Sequence, residues 1–546
     1  MQAIRSTCRL LPLFDVAASR CVEARALASA DPHVLMRRAG LAVARLAMAV
    51  APHARHVWVA TGPGNNGGDG LEAAIHLKAW GREVRVSLTG DAAALPADAR
   101  DAFDRAVAAG VTIDAQGDTP PSLEPNDVAI DALLGIGASR APQGSIAEAI
   151  AAINALPCAV IAVDLPSGLN ADTGQPLGEA CVVATHTLAL LTLKPGLFTG
   201  SGRDQAGVAW IDALGAQDAV AASLPSAWLS GSADEPSAAA DHRPRHTVPP
   251  DVVPAPDRLG SSGASHAPRG VHSLAVPRLH AQHKGSFGDV AVVAGAPGMT
   301  GAAWLAGRAA HAAGAGRVYV DLLDEASVGA GDPVRPELMF QRGWWQAEAK
   351  VLATATVVCG CGGGEAIRTP LPRLLELVPR LVLDADALNA IACDASLQAA
   401  LRTRLAGGLA TILTPHPLEA ARLLGCATAQ VQSDRLSSAR KLVEHFRCVV
   451  VLKGSGTVIA APGMPPRINA TGNASLASAG TGDVLAGWLG GLWAQAAPGD
   501  VISVAFESAS LATAQHGAAA EPQRPGSMRA GDLIEALHQR LRGTLR

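Results

Sequence analysis

Short β-branched runs alternate with alanine-rich helical stretches along most of this 546-residue chain, and one proline-rich interval divides that alternation in two. In the first half, residues 56–61, 83–88, 127–131, 159–164 and 187–191 read as strands. Helical stretches such as 71–80 and 98–109 lie between them. In the second half, 289–294, 317–321, 356–359, 381–384, 410–414 and 449–452 repeat the pattern. Strands that alternate with helices predict parallel sheets covered on both faces, an α/β architecture of αβα layers. In such sheets ligands bind beyond the carboxyl ends of the strands, so the polar residues at strand ends are the place to look for chemistry.

Residues 231–273 hold seven prolines and no Ile, Phe, Trp or Tyr. Such a stretch cannot bury enough apolar surface to offset the entropy of ordering, which predicts a flexible inter-domain linker. The domain limits drawn from this are 1–225, a linker 226–274, and 275–546. A chain of this length exceeds one core, and 49% apolar residues supply material for two. The formal net charge of −4 and the lack of a dense Lys/Arg run give no support for nucleic-acid binding. The longest apolar segments, such as 180–193, are too short to span a bilayer, and residues 10–14 are too short for a signal-peptide core. Nine scattered cysteines lack zinc-site spacing and predict buried free thiols in a reducing cytoplasm.

In the first half, the run Thr61-Gly62-Pro63-Gly64-Asn65-Asn66-Gly67-Gly68-Asp69-Gly70 turns from strand to helix. Its glycines let backbone approach a pyrophosphate, and a helix expected from Leu71 adds its dipole. The asparagine oxygens suit a monovalent cation or a ribose. Two later strands end in Asp131 and Asp164, the second followed by Pro166 and Ser167. Asp164 is the candidate for proton transfer, while Asn66, Asp131 and Ser167 offer hard oxygen ligands to a cation.

In the second half, the buried-strand pattern 449–452 ends at Lys453, and Gly454-Ser455-Gly456-Thr457 follows as a loop able to approach a phosphate. Gly480-Thr481-Gly482 then opens a helix with Asp483 in its first turn. A helix N-terminus that holds an anion beside an acid that can move a proton points to phosphoryl chemistry. Asp384 and Asp386 would share a face if their strand continued, or one would cap the next helix. His416 is fixed between two prolines at a strand end.

The order LMRRAG, GPGNNGGDG, DALLGIG, VDLPSG and LTLKPG resembles the epimerase domain for hydrated nicotinamide cofactors, over roughly residues 10–220. The order HKGSFG, GMTGAA, DADALN, TPHPLE, LKGSGT and GTGDVLAG is similar to the ADP-dependent NAD(P)H-hydrate dehydratases, over roughly 275–540. The resemblance implies a Rossmann-like three-layer sandwich followed by a ribokinase-like domain. It implies interconversion of R and S hydrates of NADH or NADPH in the first, and ADP-dependent dehydration of the S form in the second. It places Asn65, Asn66, Gly67, Gly68, Asp69, Gly135, Ile136, Gly137, Ala138, Ser139, Arg140, Ala141 and Asp164 around the hydrate, and potassium at Asn66, Asp131 and Ser167. In the second domain it places Ala302, Gly362, Gly364, His416 and Asp483 around the hydrate, with Asp483 as general base. Lys453, Gly454, Ser455, Gly456, Thr457 and Gly482 would then hold the nucleotide. Magnesium beside the nucleotide and a homo-oligomer are compatible with this reading. Two departures stand out: the family's G-P-G-L-G loop reads Gly360-Cys361-Gly362-Gly363-Gly364 here, and Leu418 follows TPHP where glycine is common. The rival readings are a ribokinase-like kinase for a hydroxymethyl-pyrimidine or thiazole alcohol, and a non-catalytic nucleotide-binding protein.

Overall fold

The computed structural model describes residues 1–7, 10–28, 30–114, 121–231, 278–324, 331–332, 334–521 and 526–544. The proline-rich stretch from 232 to 273 lies outside them. The first sheet has eight strands in the order Gln2–Ala3, Val208–Asp212, His186–Leu190, Ala159–Val163, Val128–Ala132, His56–Thr61, Glu83–Leu88, Thr112–Asp114. All neighbours are parallel except the first pair. The two-residue period of a strand sorts its side chains between layers. Val57 and Val59 pack under helices Val34–Val50, Asn65–Ala79 and Ala97–Ala108, whereas Trp58 and Ala60 face helix Ser145–Asn154. This is the expected αβα sandwich.

The second sheet has eleven strands: Met339–Phe340, Arg317–Leu322, Asp289–Ala294, Thr356–Cys359, Arg380–Leu383, Ala410–Leu413, Val449–Leu452, Val458–Ala461, Met464–Asn469, Ala227–Ser230 and Leu11–Leu13. The first seven run parallel, as expected. The hairpin Val458–Ala461/Met464–Asn469 then turns the sheet antiparallel. Helix Thr481–Ala494 lies against one face and is buried almost all round, including Trp488 and Trp493. A helix that is apolar on every side belongs in a core.

The domain limits need one correction. Ala227–Ser230, expected to begin the linker, is a strand that pairs in parallel with Met464–Asn469, and Leu11–Leu13 pairs with it in turn. Both ends of the first half therefore extend the second sheet. The reason is that Met464–Asn469 would otherwise leave a row of unpaired backbone groups at the sheet edge. Leu13, Ala227 and Leu229 are fully buried there, in one apolar cluster with Leu197, Leu383 and Leu452.

The eight cysteines among the described residues are free; Cys158, Cys181, Cys359, Cys361 and Cys448 are buried, while Cys21 and Cys393 are exposed, against expectation. Among the described residues no helix is long and apolar enough to cross a membrane.

Candidate active sites

A cavity of about 1010 Å³ opens at the carboxyl ends of the first sheet's strands. The chain turns from strand His56–Thr61 straight into helix Asn65–Ala79, so Asn65, Asn66 and Asp69 belong to the first turns of a helix, not to a loop. Loop 133–143, Asp164, Lys194, and Arg20 and Glu23 of helix Val16–Ala28 complete the wall.

Asp164 sits just past its strand in the left-handed region, at φ 69°. A non-glycine residue held there stores roughly 1–3 kcal/mol of strain, which the surroundings must overcome. They do so through the Leu190 N–H, which donates to Asp164 Oδ1 at 3.1 Å, and through a short ion pair from Lys194 Nζ to the same oxygen. Lys194 also donates to the Leu190 and Thr192 carbonyls at 2.9 and 3.0 Å, and its side chain is almost wholly buried. Burial, with the charges of Asp164 and Glu23 adding, holds the Asp69 carboxyl well above the usual carboxylate range. Glu23 is raised too, by burial and then by Asp164. The cavity thus sets an ion-paired carboxylate beside a carboxyl that keeps its proton more readily.

Behind this wall, Asp131 is fully buried. It accepts from Ser167 Oγ at 2.6 Å, Ser167 N at 2.8 Å and Leu133 N at 3.2 Å. Burial still pushes its carboxyl up to about 6. Ser167 Oγ accepts from Leu134 N at 2.8 Å. Asn66 lies against the same loop, at Gly135, and its buried Nδ2 has no partner among the described residues.

The second sheet builds its site in the same place, past the carboxyl ends. Strand Val449–Leu452 delivers Lys453, whose Nζ lies 2.7 Å from Asp384 Oδ1. Asp384 is buried and also accepts from Thr414 Oγ1 at 2.7 Å. Burial opposes the Lys453 charge, but Asp384 and Glu419 outweigh it, and the ammonium titrates above its ordinary value. A Cβ on Gly482 would stand 3.5 Å from Lys453 Nζ, so the lysine reaches the N-terminus of helix Thr481–Ala494. Asp483, in that first turn, is pushed up to about 6 by burial and then by the charge of Asp384. Cys361 Sγ, Asp384 and Asp483 place one ligand atom each within 4.8 Å of one another. The glycine loops are joined: Gly295 and Ala296 donate to the carbonyls of Cys361 and Gly362 at 3.0 and 2.7 Å, and Ala302 packs at Gly362.

Residues 32–196 match the family described as YjeF-related protein N-terminus, and residues 290–539 match NAD(P)H-hydrate dehydratase. The bifunctional NAD(P)H-hydrate repair enzyme Nnr of Escherichia coli (strain K12) is 36% identical over 490 residues, 89% of this chain and 84% of its own. The enzyme of that name from Moorella thermoacetica (strain ATCC 39073 / JCM 9320) is 33% identical, covering 93% and 92%. The chain belongs to the bifunctional NAD(P)H-hydrate repair enzyme family. Among solved structures, the ADP/ATP-dependent NAD(P)H-hydrate dehydratase of Bacillus subtilis, co-crystallised with ATP and Mg2+, is 28% identical over 49% of this chain and 94% of its own, with a TM-score of 0.42.

Of the residues expected around the hydrate in the first half of this family member, Asn65, Asn66, Asp69, Gly135 to Ala141 and Asp164 line the one cavity. Gly67 and Gly68 do not. A Cβ on either would strike the Gly62 carbonyl or the Met36 side chain, so they serve close helix packing. In the second half the strand does not continue past Asp384: Asp386 opens helix Asp386–Ala392 and accepts from Gly364 N at 2.9 Å. His416 caps helix Pro417–Leu424, its Nδ1 accepting from Leu418 N and Glu419 N at 3.1 and 3.3 Å. Burial then lowers the His416 pKa, Lys453 adding. Ser455 and Gly456 meet the first half of the chain: Ser455 Oγ donates to the Gly200 carbonyl at 2.9 Å, and Gly200 N donates to the Ser455 carbonyl at 3.1 Å. Lys194 and Glu23 were not singled out from sequence, and Cys361 only as a departure from the family's glycine loop. Lys194 stood in the LTLKPG run.

Proposed function

We infer that the chain repairs hydrated NADH and NADPH in two steps, with R and S hydrates interconverting in the first cavity and the S form being dehydrated with ADP at the second site. Both activities are those of the named relatives, and the match extends over nearly the whole chain in one order. The observation that carries the reading is two separate sites that each set an acid beside a lysine: Asp164 ion-paired with Lys194, and Asp483 in the helix turn that Lys453, held by Asp384, reaches at Gly482.

Hydration of the nicotinamide ring leaves a hydroxyl on a saturated carbon next to the ring nitrogen. Inversion there needs the hydroxyl to leave and water to return on the other face, with the nitrogen lone pair bridging the gap. Asp69, whose carboxyl burial holds well above the usual carboxylate range, supplies the proton to the leaving oxygen, and Asp164 takes the proton from the incoming water. Asn65, Asn66 and loop 135–141 orient the ring and its pyrophosphate. The Asp131 carboxylate, Ser167 Oγ and Asn66 Oδ1 offer hard oxygens around the 133–135 loop, a ligand set that fits potassium. Potassium there would supply a fixed positive charge that holds the 133–135 loop.

In the second site, Asp483 takes the hydroxyl proton as that oxygen attacks the terminal phosphorus of ADP and AMP departs. The backbone N–H groups at Gly480 to Gly482 and the Lys453 ammonium face the charge on the moving phosphoryl group. Phosphate then leaves with the C–O bond electrons, and the ring nitrogen lone pair assists. Loss of a proton from the neighbouring carbon restores the double bond. Ala302, Gly362, Gly364 and His416 form the hydrate side, and Lys453, Gly454, Thr457 and Gly482 the nucleotide side. Magnesium carried by the nucleotide would lie nearest the hard oxygens of Asp384 and neutralise phosphate charge. The unpaired cysteines fit a reducing, cytoplasmic setting.

The test mixes the full chain with an R/S hydrate mixture and ADP, and follows the reduced nicotinamide chromophore. Recovery of both epimers is expected. Phosphorylation of an unrelated alcohol with no recovery of chromophore would replace this reading with the kinase one.

A further inference from the structure

The segment that leaves the first cavity is also bonded to the nucleotide loop of the second site. Lys194, paired with Asp164, is followed at once by the buried 3-10 turn Pro195–Phe198 and then by Thr199, Gly200 and helix Gly202–Gln205. Thr199 is fully buried. Gly200 and Ser455 exchange two hydrogen bonds, and Thr199 Oγ1 lies 3.4 Å from the carbonyls of Ser455 and Gly456. Gly456 is left-handed, at φ 63°, and a Cβ there would come within 2.0 Å of the Phe198 carbonyl, so only glycine allows this approach.

The same segment is fastened on the far side of the loop. Arg203 Nη2 donates to the Gly472 and Ala470 carbonyls at 2.8 and 3.3 Å. These residues follow strand Met464–Asn469, and Asn469 N donates to the Thr457 carbonyl at 2.9 Å. A second route runs below: Gln175 Nε2 donates to the Gln432 carbonyl, Arg435 Nη1 to Gln432 Oε1, and Arg435 Nη2 to the Leu452 and Lys453 carbonyls. The first half thus touches the loop 453–457 directly at Ser455 and Gly456, and Gln175 and Arg203 brace the neighbours of Arg435 and Asn469, which hold its two ends. The loop's Ser455 and Gly456 are engaged with that half, while Lys453 reaches the helix N-terminus at Gly482.

We propose that residues 194–203 position the nucleotide loop, so that affinity for ADP at the second site is set by the first half of the chain. Thr199 acts on the loop that carries Lys453 through Ser455 and Gly456, and Arg203 through Ala470, Gly472 and the Asn469–Thr457 bond; they are positioning residues. The proposal rests on the reading of 453–457 as the nucleotide loop.

The experiment uses the full chain and measures ADP binding by calorimetry, together with KM and kcat for dehydration, the epimerisation rate and the melting temperature. Arg203→Met is expected to weaken ADP binding and raise its KM by about fivefold or more, the lower end of ordinary site coupling. The kcat for dehydration and the epimerisation rate should hold, and Arg203→Lys should restore most of the affinity. Unchanged ADP affinity in Arg203→Met overturns the proposal. So does a parallel fall in both activities with a lowered melting temperature, which marks a general packing role. Lys453→Ala separates the two readings. If it leaves ADP binding intact, the nucleotide reading fails; if it abolishes binding while Arg203→Met changes nothing, only the coupling fails.

Discussion

Lys453 Nζ bridges from the buried Asp384 carboxylate, 2.7 Å away, to the helix N-terminus at Gly482. A cation held there between a fixed anion and an anion-binding helix end is set to receive phosphate and not to wander. The neighbouring Asp483 is left without an ion pair of its own among the salt bridges of the described residues, and burial raises it towards neutral pH. One carboxylate therefore fixes the lysine while the other stays free to move a proton.

Asp483→Asn should lower ADP-dependent dehydration by about 10²–10⁴-fold, the usual worth of a positioned general base. Epimerisation should persist, since Asp164 and Asp69 line the cavity at the other sheet. The reduced nicotinamide chromophore and chiral separation of residual hydrates read the two activities independently.

Because Asp483 must be ionised to act and its carboxyl sits at about 6, dehydration kcat should fall roughly tenfold per unit below that pH. The charge of Lys453 lowers the Asp483 value, so Lys453→Met should move the acid limb to higher pH as well as weaken ADP binding. A pH–rate profile at saturating ADP measures both effects; a limb that stays put would contradict the role given to Asp483.

Lys194→Met should stop epimerisation and cost stability together. Removing one partner of a buried ion pair leaves the other charge unpaired, at about 3–5 kcal/mol. Asp164 also loses a contact that holds its left-handed backbone. With ADP in excess, only the S fraction of a hydrate mixture should then be recovered promptly, and denaturant melts should show the loss.

Potassium should raise the melting temperature of the full chain relative to choline at equal ionic strength, by mass action on the folded state. Asp131→Asn removes the carboxylate around which Ser167 and loop 133–135 are arranged, and the potassium effect should vanish with it. A potassium response that survives this change would place the ion elsewhere.

Much of this was written in local patterns. Strands 56–61, 289–294, 356–359 and 449–452 have the ends expected from their β-branched runs, because a strand buried on both faces needs an unbroken apolar stretch, and 83–88 has them from the alternation of a half-buried strand. The acids at the carboxyl ends of three other strands, Asp131, Asp164 and Asp384, were legible from the rule that ligands bind beyond strand ends. Local reading misplaced the start of helix Asn65–Ala79, since the glycines at 67 and 68 suggested a loop. Their actual purpose, close approach to the Gly62 carbonyl and the Met36 side chain, is set by how the helix packs and not by the local run. His416 was legible as a fixed residue at a strand end, but its capping of Pro417–Leu424 was not.

The sequence by itself determined two α/β halves, their glycine loops and the acids that serve each site, because strand period, helix period and turn chemistry are properties of neighbouring residues. Only the tertiary structure decided which charges those acids meet, Lys194 for Asp164 and Lys453 for Asp384. It alone decided that Leu11–Leu13 and Ala227–Ser230 cross to the second sheet, and that Gly200 closes on Ser455. Such pairings join residues up to some 255 positions apart. Burial and hydrogen bonding select them when an edge strand or a buried charge must be satisfied, and no local pattern encodes the partner.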